Sequence, residues 1–296
     1  MRAAVVTTFG GPESVEIAEV PVPEPGARQV RIKVAAAAVN PVDAGVRAGV
    51  FGGAGKRLGL GWDVAGVVDA AGVASGWAVG DEVVALAYGT AKAVGTHAEY
   101  VVVDVDAVAA APRSVDPAHA ATLPLNALTA AQALDALALE AGRSLLVTGA
   151  AGAVGGYAVE LAAGRGLVVT GLAREGDERL VRSLGAERFV SGPVAPGSVD
   201  AVLDAAIVGA DALEWVRDGG AFVGVIPGAH PASVRGVRTG SVEVAADGAR
   251  LAELVALVDR GALTTRVART YPLDEAAKAH ARLAEGGLRG RLVLVP

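Results

Sequence analysis

The sequence LLVTGAAGAVGG at residues 145–156 restricts the possible folds more than any other segment of the chain. An apolar run leads directly into Gly149, Gly152 and Gly155, and a helix-compatible sequence follows. Glycines at such positions permit a tight turn, let backbone N–H groups approach a pyrophosphate and allow a helix to pack closely on a strand. The helix N-terminus then faces the anion. The segment therefore predicts a dinucleotide-binding turn.

The spacing of these glycines leaves an alternative. It reads G-x-x-G-x-x-G instead of the commoner G-x-G-x-x-G, and the chain contains 40 glycines, so a purely structural turn is the competing interpretation. A strand before the turn, a helix after it and a second strand at 167–172 favour cofactor binding. The residues predicted to contact the cofactor are Gly149, Ala150, Gly152, Ala153, Val154 and Gly155.

The end of the second predicted strand indicates which dinucleotide binds. An NAD enzyme is expected to carry an acidic residue there to hold the ribose hydroxyls, but this strand ends in Gly-Leu-Ala and then Arg174. A guanidinium group pairs well with a 2′-phosphate, and Arg179 is a second candidate. The pattern predicts NADPH, with a solvated surface arginine beside Glu175 as the alternative.

Strands and helices alternate around the turn. Strand candidates lie at 144–148, 167–172, 199–204 and 221–226, with a further one near 241–246, and helix candidates lie at 117–139, 153–165, 177–184 and 248–260. Alternation of this kind is typical of a parallel, doubly wound sheet.

The first third of the chain follows a different pattern. Short valine-rich runs at 2–7, 29–34, 62–70, 81–86 and 98–103 are separated by Gly, Pro and Asp clusters, which predicts an antiparallel, barrel-like domain. At 296 residues the chain has room for two compact domains. The segment from about 268 onward is expected to return to the first one.

Composition excludes several classes of function. The 26 basic and 32 acidic residues give a net charge of -6, which disfavours nucleic acid as a partner. The chain has no cysteine, so disulfides, thiolate metal ligands and cysteine nucleophiles are absent. The positive mean hydropathy of +0.46 comes from dispersed Ala and Val, and no segment reads as a membrane span. The start shows no signal-peptide pattern, so the cytoplasm is the expected compartment.

Several strings coincide, in order and spacing, with one known family. They are VAAAAVNPVDAGVRAGVF, GWDVAGVV, VGDEVVAL, HAEYVVV, LPLNALTAAQAL, AAGAVGG, VRSLGAE, VDAVLDAA and AAKAHARLAEGGLRGRLVLV. The chain thereby resembles the zinc-independent quinone oxidoreductase (zeta-crystallin-like) branch of the medium-chain dehydrogenase/reductase superfamily. The resemblance implies an α/β protein in which a Rossmann domain (119–266) is joined to a GroES-like β-barrel domain built from 1–118 and 267–296. It also implies a homodimer that uses the region 221–246.

The same resemblance implies hydride transfer from NADPH to a quinone. Reduction of an enone or enoyl thioester is the alternative within the same chemistry, and the sequence does not separate the two. A non-catalytic nucleotide-binding or sensing protein is the alternative from another class.

Site residues are carried over from the family by position. Asn40 of the N-P-x-D string corresponds to the asparagine beside the nicotinamide and the substrate, although Asn-Pro is also a common turn. Asp43 lies near it and is assigned to the catalytic site with it. The other residues expected at the cofactor are Thr129, Val225 and Ile226, and those expected at an apolar substrate pocket are Phe51, Tyr88, Leu125 and Ile226.

Two departures from the relatives affect the chemistry. Relatives often carry tyrosines two and eight residues after the aspartate, whereas this chain has Gly45 and Phe51, which leaves the proton donor open, with Tyr88 as a conceivable replacement. Zinc-dependent relatives carry Gly-His-Glu where this chain reads Gly61-Trp62-Asp63. The four histidines show no ligand spacing, so no metal site is expected.

Overall fold

A computed structural model describes residues 1–296. The strands are β1 (Arg2–Val6), β2 (Val15–Glu19), β3 (Gln29–Val39), β4 (Leu58–Gly59), β5 (Asp63–Ala71), β6 (Glu82–Leu86), β7 (Tyr100–Asp104), β8 (Val108–Ala110), β9 (Ser144–Thr148), β10 (Val168–Leu172), β11 (Arg188–Val190), β12 (Val199–Asp204), β13 (Val216–Gly224), β14 (Arg238–Ser241), β15 (Val267–Pro272) and β16 (Arg291–Val295). The helices are α1 (Pro41–Arg47), α2 (Pro117–Ala120), α3 (Pro124–Leu137), α4 (Ala153–Gly164), α5 (Glu178–Ser183), α6 (Gly248–Asp259) and α7 (Ala276–Ala284).

The chain divides into two compact units. The first consists of Met1–Leu125, Ala245–Arg260 and Thr265–Pro296, and the second consists of Asn126–Val244 and Gly261–Thr264. The unit boundaries differ from the predicted ones mainly at α6, which the sequence prediction assigned to the Rossmann domain.

Helix α6 belongs to the first unit because of close backbone contacts. A Cβ atom on Gly248 would lie 2.5 Å from the carbonyl oxygen of Val108, so only glycine lets the helix start that close to β8. At its other end, the Asp259 carboxylate accepts the backbone N–H groups of Arg113 and Ser114 at 2.8 and 2.9 Å. Periodicity alone does not reveal which domain an amphipathic helix covers.

The first unit is mainly antiparallel. Its larger sheet has the order β15-β16-β3-β5-β6-β8, with β7 also paired to β3, and only β15 and β16 run parallel. A smaller sheet has the order β2-β1-β4. Strand β16, at the end of the chain, pairs Leu292–Leu294 with Ala37–Val39 of β3. The predicted alternation along β3 is present, since the side chains of Val30, Ile32 and Val34 are all buried.

The second unit contains one parallel sheet of the order β11-β10-β9-β12-β13-β14. Counted within the unit, this order is 3-2-1-4-5-6, which is the arrangement of the Rossmann fold. The predicted fold class, a doubly wound parallel sheet plus a GroES-like barrel domain, is confirmed. Strands β9 and β12 have the predicted limits of 144–148 and 199–204.

Two local expectations were wrong. The helix expected over 117–139 is two helices, because Pro124 begins a new one and proline cannot donate the hydrogen bond that would continue the first. The strand expected near 241–246 ends at Ser241 and starts at Arg238. The strands that were not predicted are β2, β4, β8, β11 and β15. No helix in the chain is both long and apolar enough to cross a bilayer.

Candidate functional site

The glycine turn after β9 has the geometry that the sequence predicts. Gly149 has a φ of 59°, in the left-handed region that favours glycine. Gly155 lies so close to it that a Cβ atom there would be 2.2 Å from the Gly149 carbonyl oxygen. The turn is tied to the neighbouring strand by the N–H of Ala150, which donates to Leu172 at 3.1 Å. A side chain at position 155 would therefore displace the turn.

Backbone donors are available at the start of α4. The first carbonyl to receive a helical hydrogen bond is that of Gly152, from the N–H of Gly156 at 2.9 Å. No protein carbonyl accepts the N–H groups of Ala153, Val154 or Gly155, which is the usual condition of a first helical turn. These three donors, together with the positive end of the helix dipole, suit a pyrophosphate.

A buried polar pair fixes the adjoining strand ends. Thr148, the last residue of β9, donates its hydroxyl to the Asp204 carboxylate at the end of β12 over 2.6 Å. The same Thr148 oxygen accepts the N–H of Ala206 at 2.9 Å, and Asp204 accepts the N–H of Gly209 at 2.8 Å. Strands β9 and β12 are neighbours where the strand order reverses, which is where ligands bind in open α/β sheets.

The other predicted cofactor residues of the second unit lie on three further segments. Arg174 follows β10, and its side chain and that of Arg179 are exposed and form no ion pair with the protein. Val225 and Ile226 follow β13, where Ile226 is partly exposed. Thr129 is buried in α3.

In the first unit, Asn40 and Asp43 lie in a hydrogen-bonded cluster. Asn40 immediately precedes α1, and the Asp43 side chain accepts its backbone N–H at 2.7 Å. The Asn40 carboxamide nitrogen donates to Asp63 Oδ2 at 2.7 Å. The other oxygen of Asp43 accepts the N–H of Gly61 at 3.0 Å. The turn geometry that Asn-Pro favours is thus used to hold the Asn40 side chain in one orientation.

Asp63 is the centre of this cluster. It is fully buried, and besides Asn40 it accepts the backbone N–H of Leu125 at 2.6 Å. Burial raises the pKa of Asp63 to about 7, because loss of hydration outweighs the two hydrogen bonds that favour the carboxylate. Leu125, which was predicted to wall a substrate pocket, therefore also contributes its backbone to the cluster.

Lys92 approaches the cluster from the segment between β6 and β7. Its ammonium group donates to the carbonyl oxygens of Gly61 at 2.8 Å and Ala87 at 2.5 Å. It also lies 5.2 Å from the centre of the Trp62 ring, within the range of a cation–π interaction. Burial lowers the pKa of Lys92 to about 8, against the attraction of Asp43 and Asp63.

Two aromatic residues predicted for the substrate pocket are partly exposed. Tyr88 packs edge-on against Trp62 with ring centres 5.0 Å apart. Phe51 lies against Gly45, where a Cβ atom would be 2.8 Å from its ring. The two positions at which relatives often carry tyrosines are therefore in contact, and the glycine leaves room for the phenylalanine ring.

The histidines divide into two pairs by environment. His97 and His280 are buried in the first unit with ring centres 6.0 Å apart, whereas His119 is half-buried and His230 is exposed. His97 Nε2 donates to the carbonyl oxygen of Ala38 at 3.0 Å. His280 Nδ1 accepts from the Arg47 guanidinium at 3.3 Å. No group of three or more His, Cys, Asp or Glu side chains is placed to hold a metal ion.

Sequence reasoning missed Asp63 and Lys92 as site residues. Their positions depend on the pairing of the chain around β4 with the segment 92–97, in which Gly59 donates to Lys92 and His97 donates to Leu60 at 2.8 and 3.0 Å. The only sequence signal for Lys92 was its position as the single charged residue between Gly89 and Gly95.

Comparisons with known proteins agree with this architecture. A family model described as the alcohol dehydrogenase GroES-like domain matches residues 26–113, and one described as zinc-binding dehydrogenase matches residues 176–294. The chain is 33% identical to an NADPH-dependent alkenal/one oxidoreductase of Arabidopsis thaliana, in an alignment covering 100% of this chain and 80% of that protein.

Two further relatives match nearly end to end. A quinone oxidoreductase of Lama guanicoe is 30% identical, with coverage of 100% of this chain and 97% of that protein. The solved structure of the quinone oxidoreductase from Coxiella burnetii has a TM-score of 0.88 at 28% identity, with coverage of 100% and 99%. Together with the strand order and the glycine turn, these matches show that the chain is an oxidoreductase of the quinone oxidoreductase-like branch of the medium-chain dehydrogenase/reductase superfamily.

Proposed function

We propose that the protein uses NADPH to reduce a quinone by hydride transfer, without a bound metal. The observation that carries this proposal is the turn after β9, where three unaccepted N–H groups and the absence of a side chain at Gly155 form a cradle for a pyrophosphate. When bound there, the nicotinamide cofactor supplies the hydride.

The choice of NADPH rests on the residue that follows β10. Arg174 offers an unpaired guanidinium at the position where an NAD enzyme carries an acid, and Arg179 offers a second one on α5. The Arabidopsis relative is named as NADPH-dependent, which supports the same choice.

The residues around Asn40 serve the acceptor in this proposal. Asp63 and Asp43 hold the Asn40 side chain and backbone, so the carboxamide is fixed before the acceptor arrives. Both carboxylates are buried and act through Asn40, which makes them positioning residues. Zinc independence is proposed because the string that contains histidine in zinc enzymes reads Gly61-Trp62-Asp63, with Trp62 buried under the Lys92 ammonium.

An enone is the second candidate acceptor, since the Arabidopsis relative is named for alkenals and alkenones. In either case the acceptor takes up a hydride on carbon and a proton on oxygen. A homodimer and a cytoplasmic location also remain proposals. The edge strand β14 lies in the region that the family resemblance assigns to the dimer.

A panel of acceptors tests the proposal. Dialysed protein is first titrated with NADPH and NADH by nucleotide fluorescence, and NADPH oxidation is then followed with benzoquinone, phenanthrenequinone, cyclohexenone and a crotonyl thioester. We expect tighter binding of NADPH and fastest turnover with a quinone. Fastest turnover with cyclohexenone or the thioester would identify the enone reductase instead. Binding without oxidation of NADPH by any acceptor would identify a nucleotide-binding or sensing protein.

A further inference from the structure

The family resemblance leaves the proton donor of the reaction without a residue, since Gly45 and Phe51 replace two tyrosines. A donor must reach the acceptor oxygen, must hold a proton near neutral pH and must have a hydrogen that no protein acceptor already takes. Lys92 donates to the Gly61 carbonyl beside the Asn40 cluster, and it meets the second and third conditions.

The contacts of Lys92 leave one of its three ammonium N–H donors without a protein acceptor. An ammonium carries three N–H donors, and two of them are directed at the carbonyl oxygens of Gly61 and Ala87. No other protein atom accepts a hydrogen bond from it. Lys92 is partly exposed as a residue, while its ammonium end is the enclosed part, so the third donor lies at the cluster and not in bulk solvent.

The surroundings fix this ammonium and supply a flat surface beside it. Trp62 lies under the cation and packs against Tyr88, which is 46% exposed. Trp62 directly precedes Asp63, whose carboxylate holds the Asn40 side chain. Trp62 thus contacts both the Lys92 ammonium and the Tyr88 ring, and the next residue, Asp63, binds the Asn40 carboxamide.

The charges around Lys92 keep its ammonium form dominant at neutral pH, while its pKa remains close to the working pH. The charged or titratable groups that act on it are Asp43, Asp63 and His97. The carboxylates favour the ammonium form, and burial opposes them, which gives the pKa of about 8. A general acid is most effective when its pKa lies near the working pH.

We propose that Lys92 is a catalytic residue whose third N–H binds the acceptor oxygen and passes its proton to that oxygen as hydride reaches the acceptor carbon. This proposal rests on the proposed function. For an enone, the hydride forms a C–H bond at the β-carbon, the electron pair of the C=C bond moves toward oxygen, and the N–H bond of Lys92 breaks to give the enol. The neutral amine then takes a proton from water, and the enol returns to the ketone. For a quinone, the hydride on a ring carbon and the proton on one oxygen give a dienone tautomer, which becomes the hydroquinone when the ring carbon loses a proton to water and the second oxygen takes one up.

The dependence on Lys92 should be stronger for enones than for quinones. A developing enolate is a strong base that benefits most from a donor, whereas the reduced oxygen of a quinone is readily protonated by water. The variants Lys92→Met and Lys92→Arg test the idea, with Lys33→Met as the matched control because Lys33 is an exposed lysine on β3 of the same unit. Circular dichroism and NADPH titration establish that each variant is folded and binds the cofactor.

We expect wild-type kcat with cyclohexenone to fall as pH rises through about 8, because deprotonated Lys92 cannot donate. In Lys92→Met, kcat should be about 100-fold lower and this alkaline limb should be absent, with NADPH affinity unchanged. In Lys92→Arg, part of the rate should remain without a limb near pH 8, because a guanidinium does not titrate there. Added methylammonium should partly restore a Lys92→Ala variant.

The result that overturns the proposal is an active wild type whose kcat and alkaline limb are unchanged in Lys92→Met. If that variant does not fold, the pH profile of Lys92→Arg decides in the same way, and an unchanged limb overturns the proposal. A wild type that oxidises no NADPH with any acceptor rejects the proposed function itself, so the two failures are distinguishable.

Discussion

Arg174 is the exposed side chain on which the proposed preference for NADPH depends. It forms no ion pair in the protein, so its guanidinium charge is available to a ligand beside the strand end. The neutral residues before it, Leu172 and Ala173, offer no carboxylate to the ribose hydroxyls of NADH. Under the proposed function, discrimination between the two nucleotides depends on this charge, because the glycine turn would bind the pyrophosphate that both nucleotides share.

Arg174→Asp should weaken NADPH binding by about 10- to 100-fold, the equivalent of one lost charge-assisted hydrogen bond. NADH binding should change little, because NADH has no 2′-phosphate. Fluorescence titration with both nucleotides measures the two affinities. Arg188→Asp, an identical charge change at an exposed position on neighbouring β11, is the control and should alter neither strongly. Equal losses for both nucleotides in Arg174→Asp would remove this assignment.

Some residues of the candidate site could be predicted from the sequence and others could not. The glycines after β9 and Arg174 follow from local sequence, since a strand, a turn and a helix are adjacent in the chain. Asp63 and Lys92 do not follow from local sequence. Asp63 is brought to the site by contacts with Asn40 and Leu125, and Lys92 by its bond to Gly61, all between segments distant in the chain. Asn40 and Asp43 were identified only through the family resemblance.

Among the elements, helix α4 depends on glycine at one position in its first turn. Gly155 lies against the Gly149 carbonyl, and this contact sets how closely the helix start approaches β9. The last residue of the same helix, Gly164, has no atom within 4 Å of the site where a Cβ would stand. The two glycines thus provide a matched pair within a single element.

Gly155→Ala should lower NADPH affinity at least about tenfold, because the added methyl group must displace the turn that carries the free N–H groups. Gly164→Ala should leave binding unchanged and add up to about 1 kcal/mol to stability, since alanine favours the helical state. Nucleotide titration and thermal unfolding of both variants make the comparison. If Gly155→Ala bound NADPH like the wild type, the turn would not be the pyrophosphate site.

Some elements were predictable from pattern and others were not. Strands β9 and β12 are apolar runs with polar or glycine-rich borders, and their limits match the prediction. Strand β14 is Arg-Thr-Gly-Ser at the sheet edge, where one side has no partner strand and little hydrophobic alternation is required. Helix α6 was predicted correctly as a helix, but its amphipathic face does not say which sheet it covers.

At the scale of the whole molecule, the two ends of the chain meet within the first unit. Helix α7, near the C-terminus, carries His280 to the Arg47 guanidinium at the end of α1. His280 is buried, and burial together with the nearby Arg47 and His97 charges lowers its pKa to about 3. In the unfolded chain a histidine has a pKa of about 6.5.

His280 should consequently contribute a loss of stability in the first unit as the pH falls from 6.5 toward 3, which His97 reinforces and which protonation of Asp63, with its raised pKa, opposes. In this window His280 is protonated in the unfolded chain and neutral in the folded unit. The free energy of unfolding therefore falls by about 1.4 kcal/mol for each pH unit from this residue. Above pH 6.5 both states are neutral and the effect is absent. Denaturant unfolding between pH 7.5 and about 4.5, followed by Trp62 and Trp77 fluorescence in a Trp215→Phe background, measures the slope.

His280→Gln provides the comparison, because the glutamine oxygen accepts from Arg47 but does not titrate. We expect this variant to be less stable than the wild type at pH 7.5 and to lose less stability on acidification. His230→Gln, at an exposed histidine, is the control and should keep the wild-type slope. Equal slopes in all three proteins would show that His280 is not responsible.

The pairing of β16 with β3 has a consequence for biosynthesis. Strand β3 is complete when the first 39 residues exist, yet its neighbour in the sheet is formed from residues 291–295. Residues 291–295 are synthesised long after β3, so the barrel sheet is missing an internal strand during that interval. The parallel sheet, whose strands all lie between residues 144 and 241, has its full set of strands earlier. The order of synthesis therefore favours a nucleotide-binding half that matures before the half assigned to the acceptor.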